Sequence, residues 1–151
     1  MLDKGCLRLS TKSVGAAAII LDAEGRILLV KHSYGKCNWE IPGGKSENHE
    51  SAQETAQREV AEETGLDVQA ERLTGVYYDP QYDIHHFAFL CKNLNARKPE
   101  PSSPEILECG YFRESELPRP MSDFTYRRIQ DALNANNNHL FHSIGPRQWL
   151  E

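Results

Sequence analysis

The segment GKSENHESAQETAQREVAEETGL occupies residues 44–66 and is the most informative part of this sequence. Within it, residues 51–64 contain neither glycine nor proline and consist mainly of Ala, Glu, Gln and Arg, which predicts a helix. Ser51 and Glu54 have the spacing of a capping box at the start of this helix. Gly65 is placed to end it, because glycine readily adopts the left-handed conformation found after a helix.

Three acidic side chains of this predicted helix, Glu59, Glu62 and Glu63, fall within one arc of about 100°. Carboxylates held so close repel one another unless protons or cations neutralise them. An acidic helix face is most often simply solvated. Here Ala56 and Val60 lie beside the acids rather than opposite them, so we expect the acids at the rim of the core, where a divalent cation compensates their charge.

The glycines before the helix are the second part of this expectation. Pro42-Gly43-Gly44 predicts a sharp turn that brings backbone carbonyls close to whatever the helix binds. A carbonyl oxygen is a suitable ligand for a hard cation, although a Gly-Gly pair alone usually means only a turn.

The rest of the chain reads as strands and helices in alternation. Apolar runs at residues 14–21 and 26–32 enclose the turn-like sequence DAEG and predict an antiparallel hairpin. Further strands are predicted at residues 39–41, 68–78, 84–92 and 109–112, with a helical turn at 114–117 and a second helix at 123–133. This mixture predicts a mixed sheet covered by helices.

Length and charge restrict the class of protein. A chain of 151 residues is expected to form one domain, and its net charge of −5 disfavours nucleic acid as a partner. The four cysteines form no C-x-x-C pair, and we see neither a signal peptide nor a membrane-spanning run. We therefore expect a cytoplasmic protein that binds neither nucleic acid nor membrane.

Residues 44–66 resemble the Nudix box, whose pattern is Gly, five residues, Glu, seven residues, then Arg-Glu-aliphatic-any-Glu-Glu-any-Gly-aliphatic. Every specified position is satisfied, by Gly44, Glu50, Arg58, Glu59, Val60, Glu62, Glu63, Gly65 and Leu66. The resemblance implies an α/β/α sandwich with a mixed β-sheet over residues 13–135. Residues 1–12 would then be a polar lead-in and residues 136–151 a C-terminal tail.

The resemblance also implies the activity and the metal. The protein would be a hydrolase that uses Mg²⁺ or Mn²⁺ to cleave the pyrophosphate bond of a nucleoside diphosphate linked to another moiety. Glu59, Glu62 and Glu63 would bind the metal with help from the Gly43 carbonyl. Arg58 would be structural and would aim a carboxylate by pairing with Glu50 or Glu62.

The sequence does not decide which carboxylate acts as the general base. Glu59 or Glu62 could remove the proton from the attacking water, and so could a glutamate of the loop that follows the strands. Glu105 is the preferred loop candidate, with Glu108 behind it, because the segment from Glu105 to Phe112 resembles the place where the family often carries one.

The substrate is also left open, between a MutT-like nucleoside triphosphate and an ADP-ribose-type nucleotide. Pro80 and Tyr82 each miss by one residue the position that the ADP-ribose and dinucleoside polyphosphate branches show. Lys31, Tyr82, Asp123 and Phe124 are candidate substrate contacts. For the last two the alternative is stronger, with Asp123 as a helix N-cap and Phe124 in the core.

Two further alternatives accompany the hydrolase interpretation. A non-catalytic Nudix module would bind a nucleotide as a sensor or regulator, and a metal-binding structural domain would have no ligand chemistry at all. The oligomeric state is open, although a homodimer is common among similar proteins.

Overall fold

The computed structural model describes residues 8–151, so the predicted lead-in at residues 1–12 lies partly outside the described residues. Two helices are present in this range, α1 (Ala52–Thr64) and α2 (Asp123–Leu133), together with a 3₁₀ turn at Glu114–Glu116. The strands are β1 (Ser13–Ile20), β2 (Ile27–His32), β3 (Trp39–Glu40), β4 (Gly43–Lys45), β5 (Val68–Asp79), β6 (Ile84–Asn93), β7 (Ile106–Phe112), β8 (Met121–Ser122), β9 (Phe141–Ser143) and β10 (Trp149–Leu150).

The strands form two sheets, each with both parallel and antiparallel neighbours. The first has the order β4-β1-β6-β5-β9 and the second β10-β8-β3-β2-β7. Strands β1 and β6 pair in parallel, whereas β1 and β4 pair antiparallel, and the second sheet combines a parallel β3–β8 pair with antiparallel pairs. The predicted α/β class with a mixed β-sheet covered by helices is confirmed, and the strands are divided between two mixed sheets rather than one.

The predicted hairpin between residues 14–21 and 26–32 is wrong. Strand β1 lies between β4 and β6 in the first sheet, and β2 lies between β3 and β7 in the second. Within residues 8–151 only the pair Leu21 and Ile27 bridges the two segments. The reason is that both strands are buried on both faces, so each takes a central place in its own sheet.

Strand β1 supplies the core on both of its sides. Ala18 and Ile20 pack with Ala56 and Val60 of α1, while Ile19 points the other way into a second cluster. That second cluster contains Ala17, Ile27, Leu29, Trp39, Ile41, Met121, Ile129 and Ala132, so it joins β1, the second sheet and α2. The sheets and helices are thus held together through β1.

Helix α1 begins and ends as the sequence predicts. Ser51 Oγ accepts from Glu54 N at 3.1 Å, and Glu54 Oε1 accepts from Ser51 N at 3.0 Å, which is a complete capping box. Gly65 follows the helix with φ 74°, the left-handed conformation that favours glycine. The acidic face of α1 is therefore fixed in register from both ends.

The segment predicted as a tail, residues 136–151, contributes strands to both sheets. Strand β9 pairs in parallel with β5, and β10 pairs antiparallel with β8. Between them Ile144 is buried against Tyr77 and Phe124. These strands have two or three residues each, too few for a periodic pattern to mark them in the sequence.

Candidate active site

Arg58 is the centre of an ion-pair network on the surface of α1. Its Nε donates to Glu50 Oε2 at 2.7 Å, and its Nη2 donates to Glu50 Oε1 at 3.1 Å. Its Nη1 donates to Glu59 Oε1 at 2.9 Å and to Glu62 Oε2 at 3.2 Å. The bidentate contact with Arg58 lowers the pKa of Glu50 to about 2, so Glu50 stays ionised and keeps Arg58 in place.

Glu63 is the most sheltered acid of the site. It is 4% exposed, and its Oε1 accepts from Gly43 N at 2.9 Å. Burial raises the pKa of Glu63 to about 8, and the negative charges of Glu59, Glu40 and Glu105 add to this rise. A cation beside this carboxylate would relieve both the burial cost and the repulsion.

Glu59 and Glu62 are progressively more open. The Glu59 carboxyl is half-buried, and burial raises its pKa even though the contact with Arg58 acts in the opposite direction. The side chain of Glu62 is 53% exposed, so this acid lies on the solvent side of the network. The three acids therefore form a gradient from the core outward.

Gly43 and Gly44 form strand β4, where the sequence predicts a turn, so this local prediction is wrong. Gly43 pairs with Ala17 and Gly44 with Ala16 of β1. A Cβ atom at position 43 would lie 2.5 Å from Ala16 O and 2.7 Å from Ala17 Cα, which only glycine avoids. Glycine is required at position 43 because the backbones of β4 and β1 approach too closely to leave room for a side chain.

The donor set fits a hard divalent cation. All its members are oxygens, and one of them belongs to a buried carboxylate surrounded by like charge. In the stretch from residue 8 to the end of the chain, however, no three His, Cys, Asp or Glu side chains stand close enough together to enclose a metal ion. Arg58 holds Glu59 and Glu62 through one oxygen each, which leaves the other oxygen of each carboxylate for a ligand.

Glu105 lies on the same side of the molecule as these acids. Its negative charge contributes to the raised pKa of both Glu59 and Glu63. Its backbone carbonyl accepts from Ser33 N at 2.8 Å, which ties the start of β7 to the segment after β2. Glu108 differs, because Lys31 Nζ lies 3.6 Å from its Oε2.

A cleft with a cavity volume of about 210 Å³ opens beside the acids. Gly43 and Gly44 line it, and the same glycines contact Glu63 and Glu59, so the cleft and the acidic site share a wall. Its other lining residues are Gly15, Ala16, Ala17, His32, Tyr34, Glu40, Ile41, Lys45, Ile84, His86, Phe124, Arg128 and Arg147.

Of the four predicted substrate contacts, Phe124 lines this cleft. Lys31 is paired with Glu108, and Tyr82 is 68% exposed in the turn between β5 and β6. Asp123 is the first residue of α2, and its Oδ1 accepts from Gln148 N at 3.0 Å. Lys31, Tyr82 and Asp123 are not among the residues that line the cleft.

The start of α2 also corrects the alternative interpretation of Asp123. The N-cap is Ser122, whose Oγ accepts from Thr125 N at 3.1 Å. Phe124 is buried and packs with Tyr77, as the core interpretation predicts.

Sequence reasoning missed two arginines in the cleft. The guanidinium carbons of Arg128 and Arg147 lie 3.8 Å and 4.6 Å from the centroid of the Phe124 ring. Arg128 Nη2 donates to Glu40 Oε1 at 2.8 Å, and Arg147 Nη1 donates to Asp79 Oδ2 at 2.8 Å. The available signal was the spacing of four residues between Phe124 and Arg128, which places both on one face of α2.

The two adjacent histidines of β6 face opposite ways, as neighbouring residues of a strand do. The His85 ring contacts Tyr78, and the His86 ring contacts Phe124 inside the cleft. Burial lowers the pKa of His86 to about 4, and the nearby arginines act in the same direction, so its ring is neutral at pH 7.

Comparison with known proteins identifies the family. The NUDIX domain model matches residues 11–133. This chain belongs to the Nudix family. The Nudix hydrolases are enzymes that act on pyrophosphate bonds, and the family generally uses a divalent metal.

Two curated relatives and one crystal structure illustrate the similarity. A Bacillus subtilis protein, named as a proposed 8-oxo-dGTP diphosphatase, is 41% identical over 121 residues, which are 80% of this Nudix chain and 79% of that protein. An ADP-ribose pyrophosphatase of Methanocaldococcus jannaschii is 38% identical over 122 residues, 78% of this chain and 72% of that one. The crystal structure of a Nudix hydrolase from Nitrosomonas europaea superposes with a TM-score of 0.79 at 23% identity, over 92% of this chain and 82% of that one, which shows the fold alone.

Proposed function

We propose that this Nudix hydrolase uses Mg²⁺ or Mn²⁺ to cleave the pyrophosphate bond of a nucleotide of the 8-oxo-dGTP or ADP-ribose type. The observation that carries the proposal is the buried carboxylate of Glu63, held by Gly43 N at the wall of the cleft and surrounded by like charge. The two substrate types are those of the Bacillus subtilis and Methanocaldococcus jannaschii relatives.

The metal would be held by Glu59, Glu62 and Glu63, with help from the carbonyl of Gly43. When bound, a divalent cation neutralises the charge on phosphate oxygens and lowers the pKa of water. Arg58 acts as a positioning residue, because it holds one oxygen each of Glu59 and Glu62 and is itself held by Glu50.

Glu105 is the general base in this proposal. Glu59 and Glu62 each accept a hydrogen bond from Arg58, so one oxygen of each carboxylate is already occupied. Within the described residues no Lys, Arg or His side chain forms an ion pair with Glu105, whereas Glu108 is paired with Lys31. Glu105 is therefore the loop carboxylate whose charge acts on Glu59 and Glu63 and which has no cationic partner among the described residues.

The test is a hydrolysis assay with product identification. The purified protein is incubated with 8-oxo-dGTP, dGTP or ADP-ribose in the presence of Mg²⁺, Mn²⁺ or EDTA. We expect metal-dependent release of a nucleoside monophosphate from at least one of these substrates. Tight binding of a nucleotide without any turnover would contradict the proposal and favour the non-catalytic module.

The role of Glu105 is tested with a matched pair of variants from the same strand region. Glu105→Gln should lower kcat by about a hundredfold, the usual effect of losing a general base. Glu108→Gln should leave kcat within about twofold of the wild type. Equal kcat values in the two variants would exclude Glu105 as the base.

Location and assembly stay predictions. No helix within the described range is long and apolar enough to cross a membrane. We predict a cytoplasmic location and a homodimer on the basis of the sequence. Light scattering of the purified chain would measure the oligomeric state.

A further inference from the structure

The loop that carries Glu105 lies across the C-terminal end of α1. The last carbonyls of a helix have no partner within the helix. Two of those of α1 accept hydrogen bonds from the loop, because Ser102 N donates to Glu63 O and Glu100 N donates to Thr64 O, both at 3.0 Å. The backbone of Glu63, the most sheltered acid of the site, is therefore bonded directly to the loop that leads to Glu105.

The loop has little conformational freedom between this contact and the start of β7. Its residues at positions 99, 101 and 104 are prolines, each with a fixed φ angle. Ser103 Oγ accepts from Glu105 N at 3.2 Å, and Ser103 O accepts from Ile106 N at 3.0 Å. The backbone of Glu105 is thus held in a turn that leads directly into the strand.

Ser33 holds this end of the loop from the opposite side. Its N–H donates to Glu105 O at 2.8 Å, and its Oγ donates to Pro104 O, also at 2.8 Å. The two carbonyls belong to adjacent residues, so both bonds act on the stretch of backbone from which the Glu105 side chain extends. Only the bond to Pro104 needs a hydroxyl group, which makes it the contact that a substitution can remove.

The segment that contains Ser33 also forms part of the cleft. His32 and Tyr34, on either side of Ser33, line the cleft, and their rings stack with centroids 4.7 Å apart. Ser33 itself is not among the lining residues, because it contacts the loop. The wall of the cleft and the loop of Glu105 are therefore joined at this one residue.

The charge of Glu105 acts on groups at both sides of this junction. Burial lowers the pKa of His32 and raises that of Tyr34, and the charge of Glu105 raises both. On α1, burial raises the pKa values of Glu59 and Glu63, and the charge of Glu105 adds to these rises as well. Glu105 consequently lies close to both the cleft wall and the acids of α1, and a shift of the loop would change its distance to each.

We propose that Ser33 is a positioning residue, which holds Glu105 at the reacting centre through hydrogen bonds to the carbonyls of Pro104 and Glu105. This inference rests on the proposed function, in which Glu105 is the general base. A general base must lie within hydrogen-bond reach of the water that it deprotonates, so a contact that fixes its backbone contributes to kcat. Because Ser33 does not line the cleft, its hydroxyl should contribute little to KM.

The first test measures the contact without any substrate. Hydrogen exchange of residues 100–106 is followed by mass spectrometry in the full chain, for the wild type, Ser33→Ala and Ser33→Thr. We expect exchange in this segment to rise by at least about threefold in Ser33→Ala, the effect of losing one exposed hydrogen bond, and to stay near the wild-type rate in Ser33→Thr. Unchanged exchange in Ser33→Ala would overturn the inference whether or not the protein hydrolyses a nucleotide.

The second test is kinetic and uses whichever of 8-oxo-dGTP, dGTP and ADP-ribose the protein hydrolyses. Ser33→Ala should lower kcat by at least about fivefold, since a misplaced base is less effective, while KM stays within about twofold. Ser33→Thr keeps a hydroxyl and should restore most of kcat. Ser115→Ala, at an exposed position of the 3₁₀ turn, is the matched control and should leave both constants unchanged.

A double variant assigns the effect to Glu105. In the Glu105→Gln background, Ser33→Ala should lower kcat by no more than about twofold, because the carboxylate that Ser33 positions is already gone. Full additivity of the two substitutions would overturn the inference, and so would a normal kcat in Ser33→Ala when Glu105→Gln is impaired, although the proposed function would then stand. A wild-type protein that hydrolyses none of the three nucleotides would overturn the proposed function and the inference with it.

Discussion

Gly44 and the carboxylate of Glu59 are in direct contact. A Cβ atom at position 44 would lie 2.6 Å from Cδ and from Oε1 of Glu59. The backbone of β4 therefore limits the positions that the Glu59 carboxylate can occupy, and any side chain at position 44 would displace this carboxylate.

The first prediction follows from this contact. Gly44→Ala should lower kcat/KM by at least about tenfold, because positioning errors at a reacting centre cost one to two orders of magnitude. The fold should change little, since the obstructing atoms belong to the end of a flexible side chain. Steady-state kinetics and a thermal unfolding midpoint measure the two effects separately. Unchanged kinetics would show that the position of Glu59 is not critical.

For the neighbouring Gly43 we expect the opposite result, a loss of stability of the fold. At Gly43 the obstructing atoms are backbone, Ala16 O at 2.5 Å and Ala17 Cα at 2.7 Å. Gly43→Ala should lower the free energy of unfolding by about 2 kcal/mol, within the range of overpacking substitutions. Urea unfolding measures this loss of stability. Gly25→Ala is not a suitable control, because Gly25 has φ 77° and an alanine there would be strained for a different reason. A stability equal to that of Gly44→Ala would show that β4 can move away from β1.

Arg58 provides a third prediction. Arg58→Lys keeps the charge but cannot hold both oxygens of Glu50 and also reach Glu59 and Glu62. We expect kcat to fall by at least about tenfold, since the carboxylates lose their alignment. The matched control is Glu47→Gln, which removes only a distant contact to Arg58 at 3.8 Å from an exposed side chain. Equal kinetics in Arg58→Lys and the wild type would show that Arg58 does not position the carboxylates.

The pH dependence of stability is a fourth prediction, and it depends on His86. Its pKa is lowered from 6.5 to about 4 in the folded protein, so the unfolded chain takes up the proton first as the pH falls. The contribution of His86 to stability should therefore be fully present above pH 6.5 and be lost between about pH 6.5 and pH 4, by up to roughly 3 kcal/mol. The raised pKa of Glu63 acts in the opposite direction, so the His86 contribution is read from the difference between the wild type and His86→Phe. In His86→Phe this part of the acid-side loss should disappear when unfolding is measured by urea at several pH values. A wild-type slope that survives the substitution would assign the loss to other groups.

The local features of the site could be predicted because they depend on neighbouring residues in the sequence. The capping box of Ser51 and Glu54 and the ending at Gly65 fixed α1 to within one residue. The resemblance to the Nudix box offered Glu50 or Glu62 as the partner of Arg58, and the structure shows both contacts together with a third to Glu59.

The remaining features depend on contacts between distant parts of the chain. The pairing of β1 and β2 was wrong because a continuous apolar run does not reveal which of several strands it pairs with. Arg147 is brought to Phe124 by the short strand β10, whose two residues leave no periodic signal. Likewise, Gly43 forms a strand because it can approach Ala16 closely, which is a property of the fold rather than of the Pro-Gly-Gly sequence.

The most direct test of the account is metal binding at Glu63. Binding of Mn²⁺ to the full chain is measured by calorimetry or by electron paramagnetic resonance, for the wild type, for Glu63→Gln and for Glu71→Gln, a control at an exposed position of β5. We predict that Glu63→Gln lowers the affinity for Mn²⁺ by at least about tenfold while Glu71→Gln leaves it unchanged. Equal Mn²⁺ affinity in all three proteins would contradict the claim that the buried carboxylate is there to hold a divalent cation.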